Sequence, residues 1–348
     1  MATAADTKTT PPPVSVRRWV IYALGGGFGH LTRACALARA ASPARQIQIL
    51  TNSPYAACVQ DALPSLDLVA LDPAMTVVEA RAQVGRYIAA SGATCLIVDT
   101  FPRGLVGELV DVLSSFAGPK VLVQRDVNPD YAAAFQLNTF VAETYDLVLV
   151  PGERTDDGLG PFSQSAATAP WLVRSQEELR LRESAREVLR LYSEKPCAIV
   201  CAAGNPDELE WYGAVATHLL AANVCDVRCI APVCPANCPT WCWINYWPAI
   251  DLYAAADVVI GSAGYNTIHE CLACGVPLVA RPWPRKYDRQ SLRAARAAVR
   301  QVETPEQAVK AALDELTRKP ARYSQFHNGS HEAVALIERL QHGTVSLR

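Results

Sequence analysis

Several things are missing from this chain. It has no continuous apolar run of the roughly eighteen residues a membrane-spanning helix needs. Its opening residues, MATAADTKTTPPPVSVRR, have no apolar core of the kind a secretory leader carries. Residues 1–16 therefore read as a disordered tail, and a cytoplasmic location is expected. Net charge is only −2 over 348 residues, which gives no electrostatic basis for general nucleic-acid binding. No Gly-Lys-Ser/Thr closes any glycine loop, so a Walker A nucleotide site is excluded. No internal repeat with a clear period is present.

Cysteine, by contrast, is plentiful, with 12 in the chain and a cluster at Cys225, Cys229, Cys234, Cys238 and Cys242. The C-x3-C-x3-C spacing at 234–242 is not that of the usual zinc sites. In a long chain with no leader these read as free thiols in a reducing compartment. Cys271 and Cys274 fall within a helical pattern and read as buried helix residues.

Short apolar runs alternate with helical segments. RRWVIYAL, QIQIL (46–50), ATCLIVDT (93–100), KVLVQRD (120–126) and YDLVLVPG (145–152) are strand candidates, and a helix is expected over 31–41. Residues 153–170 are rich in Gly, Ser, Pro and Asp and read as a loop between domains. Residues 175–192 read as one amphipathic helix at the junction. A second series follows, with strands at 196–204, DVRCIA, TWCWINYW, 257–264 and VPLVARPWP. Asn205 and Pro206 start one of its helices, Gly275 ends another, and the tail from Thr304 is helical. Two α/β halves of this rhythm predict two Rossmann-like parallel sheets facing across a cleft. The expected division is an amino-terminal domain at 17–165, a linker and junction helix at 166–194, a second domain at 195–320, and a final helix at 321–348 returning to the first domain.

The glycine turn GGGFGH lies behind the first strand. A dinucleotide fingerprint would place glycine where His30 stands, and Thr51 and Asn52 occupy the place of the ribose-binding acid. Gly27 and Gly29 let a ligand approach the backbone, and the following helix offers its positive end. His30 is positioned to take a proton. Asp99, at the end of another strand, is suited to orient its imidazole. Asp126 is a third candidate at a strand end, with Arg125 its expected partner.

GSAGYNTIHE (261–270) mirrors this turn in the second half. Ser262, Gly264, Asn266 and Thr267 open a helix whose free N–H groups favour a diphosphate. Glu270, one turn on, suits a pair of ribose hydroxyls. His269 reads as structural. Gly204 and Asn205 form the matching turn after the strand at 196–204. The basic loop RPWPRKYDRQS offers Arg285 to a pyrophosphate and Asp288 and Gln290 to sugar hydroxyls. Tyr246, in the aromatic run 241–248, can wall a flat base.

These residues resemble the GT-B glycosyltransferases, and among them the MurG-like, family 28 branch. GGGFGH looks like its glycine-rich loop ending in His, and 250–292 looks like its donor-binding segment. The resemblance implies a nucleotide-diphosphate-sugar donor, with UDP the expected nucleotide. Ser262, Gly264 and Asn266 would lie near the diphosphate, Glu270 near the ribose, Gln290 near the sugar and Tyr246 near the base. No Asp-x-Asp motif of the metal-using transferases is present, so no metal and no cofactor are expected. Phe28 and LTRA depart from the branch's usual loop, and the acceptor hydroxyl is left open: small molecule, lipid-linked or glycan, with peripheral membrane contact compatible. The reaction expected is inverting glycosyl transfer. Alternatives on the same fold are a nucleotide-sugar hydrolase or epimerase, and a non-catalytic nucleotide-sugar-binding subunit.

Overall fold

A computed structural model describes residues 17–41, 45–154, 159–318 and 325–343. The first half runs β1 (Arg18–Tyr22), α1 (Phe28–Ala41), β2 (Gln46–Thr51), α2 (Ala56–Ala62), β3 (Asp67–Ala70), α3 (Val77–Ala90), β4 (Cys95–Asp99), α4 (Val110–Ser115), β5 (Lys120–Val123), α5 (Pro129–Ala134), α6 (Leu137–Thr144), β6 (Leu147–Pro151) and β7 (Ser165–Thr168). The second half runs α7 (Arg182–Val188), β8 (Cys197–Cys201), α8 (Pro206–Ala222), β9 (Asp226–Ile230), β10 (Trp243–Ile244), β11 (Val258–Ser262), α9 (Tyr265–Cys274), β12 (Leu278–Arg281), α10 (Gln290–Arg296), β13 (Arg300–Gln301), α11 (Pro305–Leu316) and α12 (Ser330–Gln341).

The two sheets are all parallel, in the orders β3-β2-β1-β4-β5-β6-β7 and β10-β9-β8-β11-β12-β13. In each, the order reverses beside its first strand, at β1/β4 and β8/β11. Ligands bind outside the carboxyl ends of the strands at such reversals. The central strands are apolar along their whole length because helices cover both faces. CLIVD of β4 and LVLVP of β6 are buried at every residue.

Local chemistry sets the helix ends. The Asn205 side chain accepts from Glu208 N at 2.9 Å, with Pro206 in the first turn of α8. Thr304 and Gln307 form a reciprocal capping box at α11. Gly275 closes α9 at φ 63°, a left-handed position that favours glycine.

Two expectations need correction. The loop foreseen over 153–170 contains β7, which extends the first sheet by pairing with β6; residues 155–158 of that loop lie outside the described set. The single helix foreseen over 175–192 is a 3-10 turn at Gln176–Glu178 followed by the short α7. Leu179 is extended between them, and Arg180 reaches Tyr246 Oη at 3.3 Å. Docking at the junction overrides helix propensity there.

After the second sheet the chain returns to the first. In α12, Gln341 Oε1 accepts from Trp19 Nε1 at 3.0 Å, and Glu338 takes Arg45 at 2.6 Å. Trp19, the partner in the first of these bonds, is fully buried. The disordered tail expected at 1–16 lies outside the described residues. No helix among the described residues is long and apolar enough to cross a membrane.

Candidate active site

The carboxyl ends of the two sheets enclose a cleft of about 680 Å³, within the range of small-molecule sites. It is lined from the first half by Gly25–His30, Phe101 and Asp126, and from the second by Gly204, Tyr246, Ser262, Glu270 and Gln290, among others. A second hollow of about 550 Å³, beside Leu272 and Arg318, holds none of the candidate catalytic or donor-binding residues.

The wall of the first half is built around His30. The turn after β1 is held by its neighbour strand: Gly25 N donates to Asn52 Oδ1 at 2.7 Å, and Ser53 Oγ donates to Gly27 O at 3.1 Å. Asn52 thus has a loop-fixing role where a dinucleotide site would have its acid. The helix begins earlier than the sequence reading placed it, at Phe28, so His30 stands in the first turn of α1. A Cβ on Gly25 would collide with the imidazole, so glycine is needed there for His30 to sit as it does. Gly26, Gly27 and Gly29 face open space.

His30 Nδ1 lies 2.5 Å from Asp99 Oδ2. The same carboxylate is gripped by Arg33, with Nε at 2.8 Å from Oδ1 and Nη2 at 2.6 Å from Oδ2. Burial alone would raise the pKa of Asp99. The Arg33 charge and the His30 hydrogen bond overcome it and hold the carboxyl well below the usual carboxylate range. An ionised Asp99 can only accept, so Nδ1 carries the proton and Nε2 presents its lone pair to the cleft above Gly25. Arg33 was not foreseen, although its place three residues after His30 puts both on one helix face.

The opposite wall is the start of α9. Ser262 Oγ accepts from Gly264 N at 3.3 Å, and α9 has neither a side-chain cap nor an acid in its first turn. Its free N–H groups and positive dipole end open onto the cleft beside Asn266 and Thr267. The start of α8, next to it, is filled by Asn205 and its own acids Asp207 and Glu208. Gly204 has φ 138°, and a Cβ there would meet Glu208. Glu270 is 6 % exposed, and its carboxyl makes no ion pair or hydrogen bond among the described residues. Burial, with a smaller contribution from Asp251, pushes its pKa up to about 8. Tyr246 Oη donates to Asp251 Oδ2 at 3.3 Å, and Gln290 Oε1 accepts from Trp283 N at 3.0 Å.

Three candidates are differently engaged than the sequence suggested. Asp126 does not pair with Arg125; Arg289 of the second half holds its carboxylate, with Nε at 2.9 Å from Oδ1. Both its oxygens accept from Arg289, so the carboxylate is engaged in an ion pair between the halves. Asp288 is held by Arg293 at 2.5 Å and Arg125 at 3.5 Å rather than free for sugar hydroxyls. Against the cost of burial, Arg125 and Arg293 lower its pKa to about 2. Arg285 is tied to Glu208, with Nη2 at 2.7 Å. Glu153 joins the network from the first half: Arg293 Nε donates to it at 2.8 Å, and its other oxygen accepts from Asp126 N at 2.5 Å. The Arg125–Asp288, Arg289–Asp126 and Arg293–Glu153 pairs clamp the halves together at one end of the cleft. Glu153 follows β6 after the single residue Gly152, a strand-end position that could have drawn notice.

Outside the cleft, His269 is packed against Tyr265, and burial lowers its pKa to about 4. In the cysteine cluster, Cys234 Sγ donates to Cys238 O at 3.6 Å, Cys238 Sγ to Pro239 O at 3.7 Å and Cys242 Sγ to Val227 O at 3.3 Å. Among the described residues no group of three or more His, Cys, Asp or Glu is arranged to hold a metal.

Comparison with known proteins agrees with this geometry. Residues 242–340 match the family model of the glycosyltransferase family 28 C-terminal domain. No curated protein matches the chain. Among solved structures, the glycotransferase of kitacinnamycin is 14 % identical, with TM-score 0.63 over 94 % of this chain and 99 % of its own. MurG of Acinetobacter baumannii is 18 % identical, with TM-score 0.55 over 92 % and 99 %. SsfS6, a glycosyltransferase of Streptomyces sp. SF2575 solved with thymidine diphosphate, is 14 % identical, with TM-score 0.55 over 93 % and 99 %. The chain has the GT-B fold, two Rossmann-like domains across a cleft, and residues 242–340 of its second half are similar to the family 28 carboxyl-terminal domain.

Proposed function

We propose that this protein transfers a sugar from a nucleotide-diphosphate sugar to an acceptor hydroxyl, with inversion and without a metal. The observation that carries the reading is the His30–Asp99 pair at one switch point, facing the uncapped start of α9 at the other. UDP is the nucleotide implied by the family 28 likeness.

In this reading the diphosphate rests on the N–H groups of α9 beside Ser262, Gly264, Asn266 and Thr267. Glu270, a buried carboxyl without a protein partner, takes the ribose hydroxyls. Tyr246 walls the base and the free amide end of Gln290 meets the sugar. His30 Nε2 accepts the acceptor's hydroxyl proton as the oxygen attacks the anomeric carbon. The bond to the diphosphate breaks on the opposite face, and its electron pair leaves with the nucleotide. The α9 dipole stabilises the charge that develops there. Asp99, fixed by Arg33, holds the imidazole in the required tautomer and stabilises its cation.

A thermal-shift screen of nucleotide sugars on the purified protein, followed by product analysis with the best binder, tests the reading. Glycosylated product with inverted anomeric configuration supports it. Free sugar at the same rate with and without acceptor points to hydrolysis instead.

A further inference from the structure

The wall beside His30 has a chemistry of its own. The Phe101 ring lies 5.3 Å from the imidazole, tilted by 31°. Tyr287, from the second half, meets Phe101 edge-on at 5.3 Å and is itself met by Tyr131 at 4.6 Å. Asn128 N donates to Tyr287 O at 3.1 Å, which fixes the loop carrying that ring to the first half. On the other side Phe28 stacks on Tyr55 at 4.2 Å, and Leu105 completes the surface. The space around His30 Nε2 is therefore bounded by flat, apolar groups.

The polar groups next to it are already engaged. Thr32 Oγ1 accepts from Trp247 Nε1 at 3.3 Å, and Thr100 Oγ1 accepts from Arg33 at 3.1 Å. Asp126 is held by Arg289, and Arg125 faces Asp288 and Glu153. A polyhydroxylated acceptor would give up water on this wall and gain few hydrogen bonds in return, which is unfavourable for every hydroxyl left without a partner. A diphosphate-bearing acceptor would need several cations; both arginines that line the cleft are paired with carboxylates, and Lys286, the remaining cation of the lining, lies over the Tyr287 ring.

Building on the glycosyl-transfer reading, we infer that the acceptor is a planar aromatic alcohol, a phenol-type hydroxyl whose ring lies against Phe101 and Tyr287 with its oxygen at His30 Nε2. The step balances simply. The phenolic oxygen bonds to the anomeric carbon, its proton passes to His30, and the nucleotide diphosphate departs with the electron pair of the broken bond. A phenol's acidity near that of tyrosine, about 10, suits an imidazole base far better than a hydroxyl as weak as water's, about 15.7.

The test uses the full chain and the nucleotide sugar that stabilises it most. Initial rates are measured with 4-methylumbelliferone, methyl glucoside and a prenyl-diphosphate-linked monosaccharide. The expected result is a kcat/KM for the phenol at least tenfold above the other two. Phe101→Leu and Tyr287→Ala should each raise the phenol's KM about tenfold, the value of a lost ring pair, with the donor's thermal shift unchanged. Phe101→Leu keeps the apolar volume, so a folded variant is available for the comparison. Equal or better transfer to the glucoside or the diphosphate-linked sugar overturns the acceptor class and leaves glycosyl transfer standing. An unchanged KM in both variants also overturns it. No nucleotide release with any of the three acceptors overturns both readings.

Discussion

Arg33 and His30 share one carboxylate. Both reach Asp99 Oδ2, at 2.6 and 2.5 Å, from the same face of α1. Arg33 is fully buried and has no role open to it in contacting substrate. It acts through Asp99: it keeps the carboxylate ionised and fixed, and so fixes which nitrogen of His30 carries the proton. Asp99→Asn should therefore lower kcat by about 10²–10⁴-fold, with donor affinity retained. Arg33→Gln should lower kcat less and also cost stability, because it leaves Asp99 buried with one partner fewer. Steady-state kinetics with a donor-binding titration separates the two effects.

Gly25 is the neighbour on which the His30 ring depends. Gly25→Ala should displace the imidazole and reduce kcat by about tenfold or more, while Gly26→Ala, where space is open, should change it little. Equal effects of the two substitutions in a rate assay would remove the steric role of Gly25.

Glu270 gives a pH signature. Its folded pKa of about 8 lies above an unfolded value of about 4.3. The folded state therefore binds more protons between these values. Stability conferred by the protonated form is complete below about 4.3 and is lost as pH rises toward about 8. Glu270→Gln should flatten that slope in melting temperatures taken from pH 5 to pH 8. Glu270→Ala should weaken every nucleotide sugar about tenfold regardless of its sugar, read by isothermal titration.

The clamp between the halves should respond in the opposite sense. Asp288 and Glu153 have lowered pKa values, so their contribution is present above the ordinary carboxylate range and lost as pH falls toward about 2. Arg293→Ala leaves both carboxylates with only the longer contacts to Arg125, at 3.5 and 3.9 Å, and should cost about 3 kcal/mol. Urea unfolding at pH 7 measures this directly.

The doubly wound sheets were legible because β4, β6, β8 and β11 are short apolar runs that end in, or are soon followed by, polar or turn residues, and because Asn205, Pro206, Gly275 and Thr304 punctuate helices in the expected way. The His30–Asp99 encounter followed from strand-end placement alone. Less legible were contacts that form only when the halves meet. Arg125, Asp126 and Glu153 find Asp288, Arg289 and Arg293 about 140–163 residues away, and no local pattern announces such partners. The junction at 175–192 misled for the same reason, since its pattern is helical and its docking is not. The aromatic wall was invisible because Phe101, Tyr131 and Tyr287 lie on three separate loops and helices.

The most direct measurement compares the native protein with His30→Ala on the best-binding nucleotide sugar and its preferred acceptor. Donor affinity should stay within about twofold while kcat for transfer falls by about 10²-fold or more. Transfer at the native rate by a folded His30→Ala protein would contradict His30 as the base.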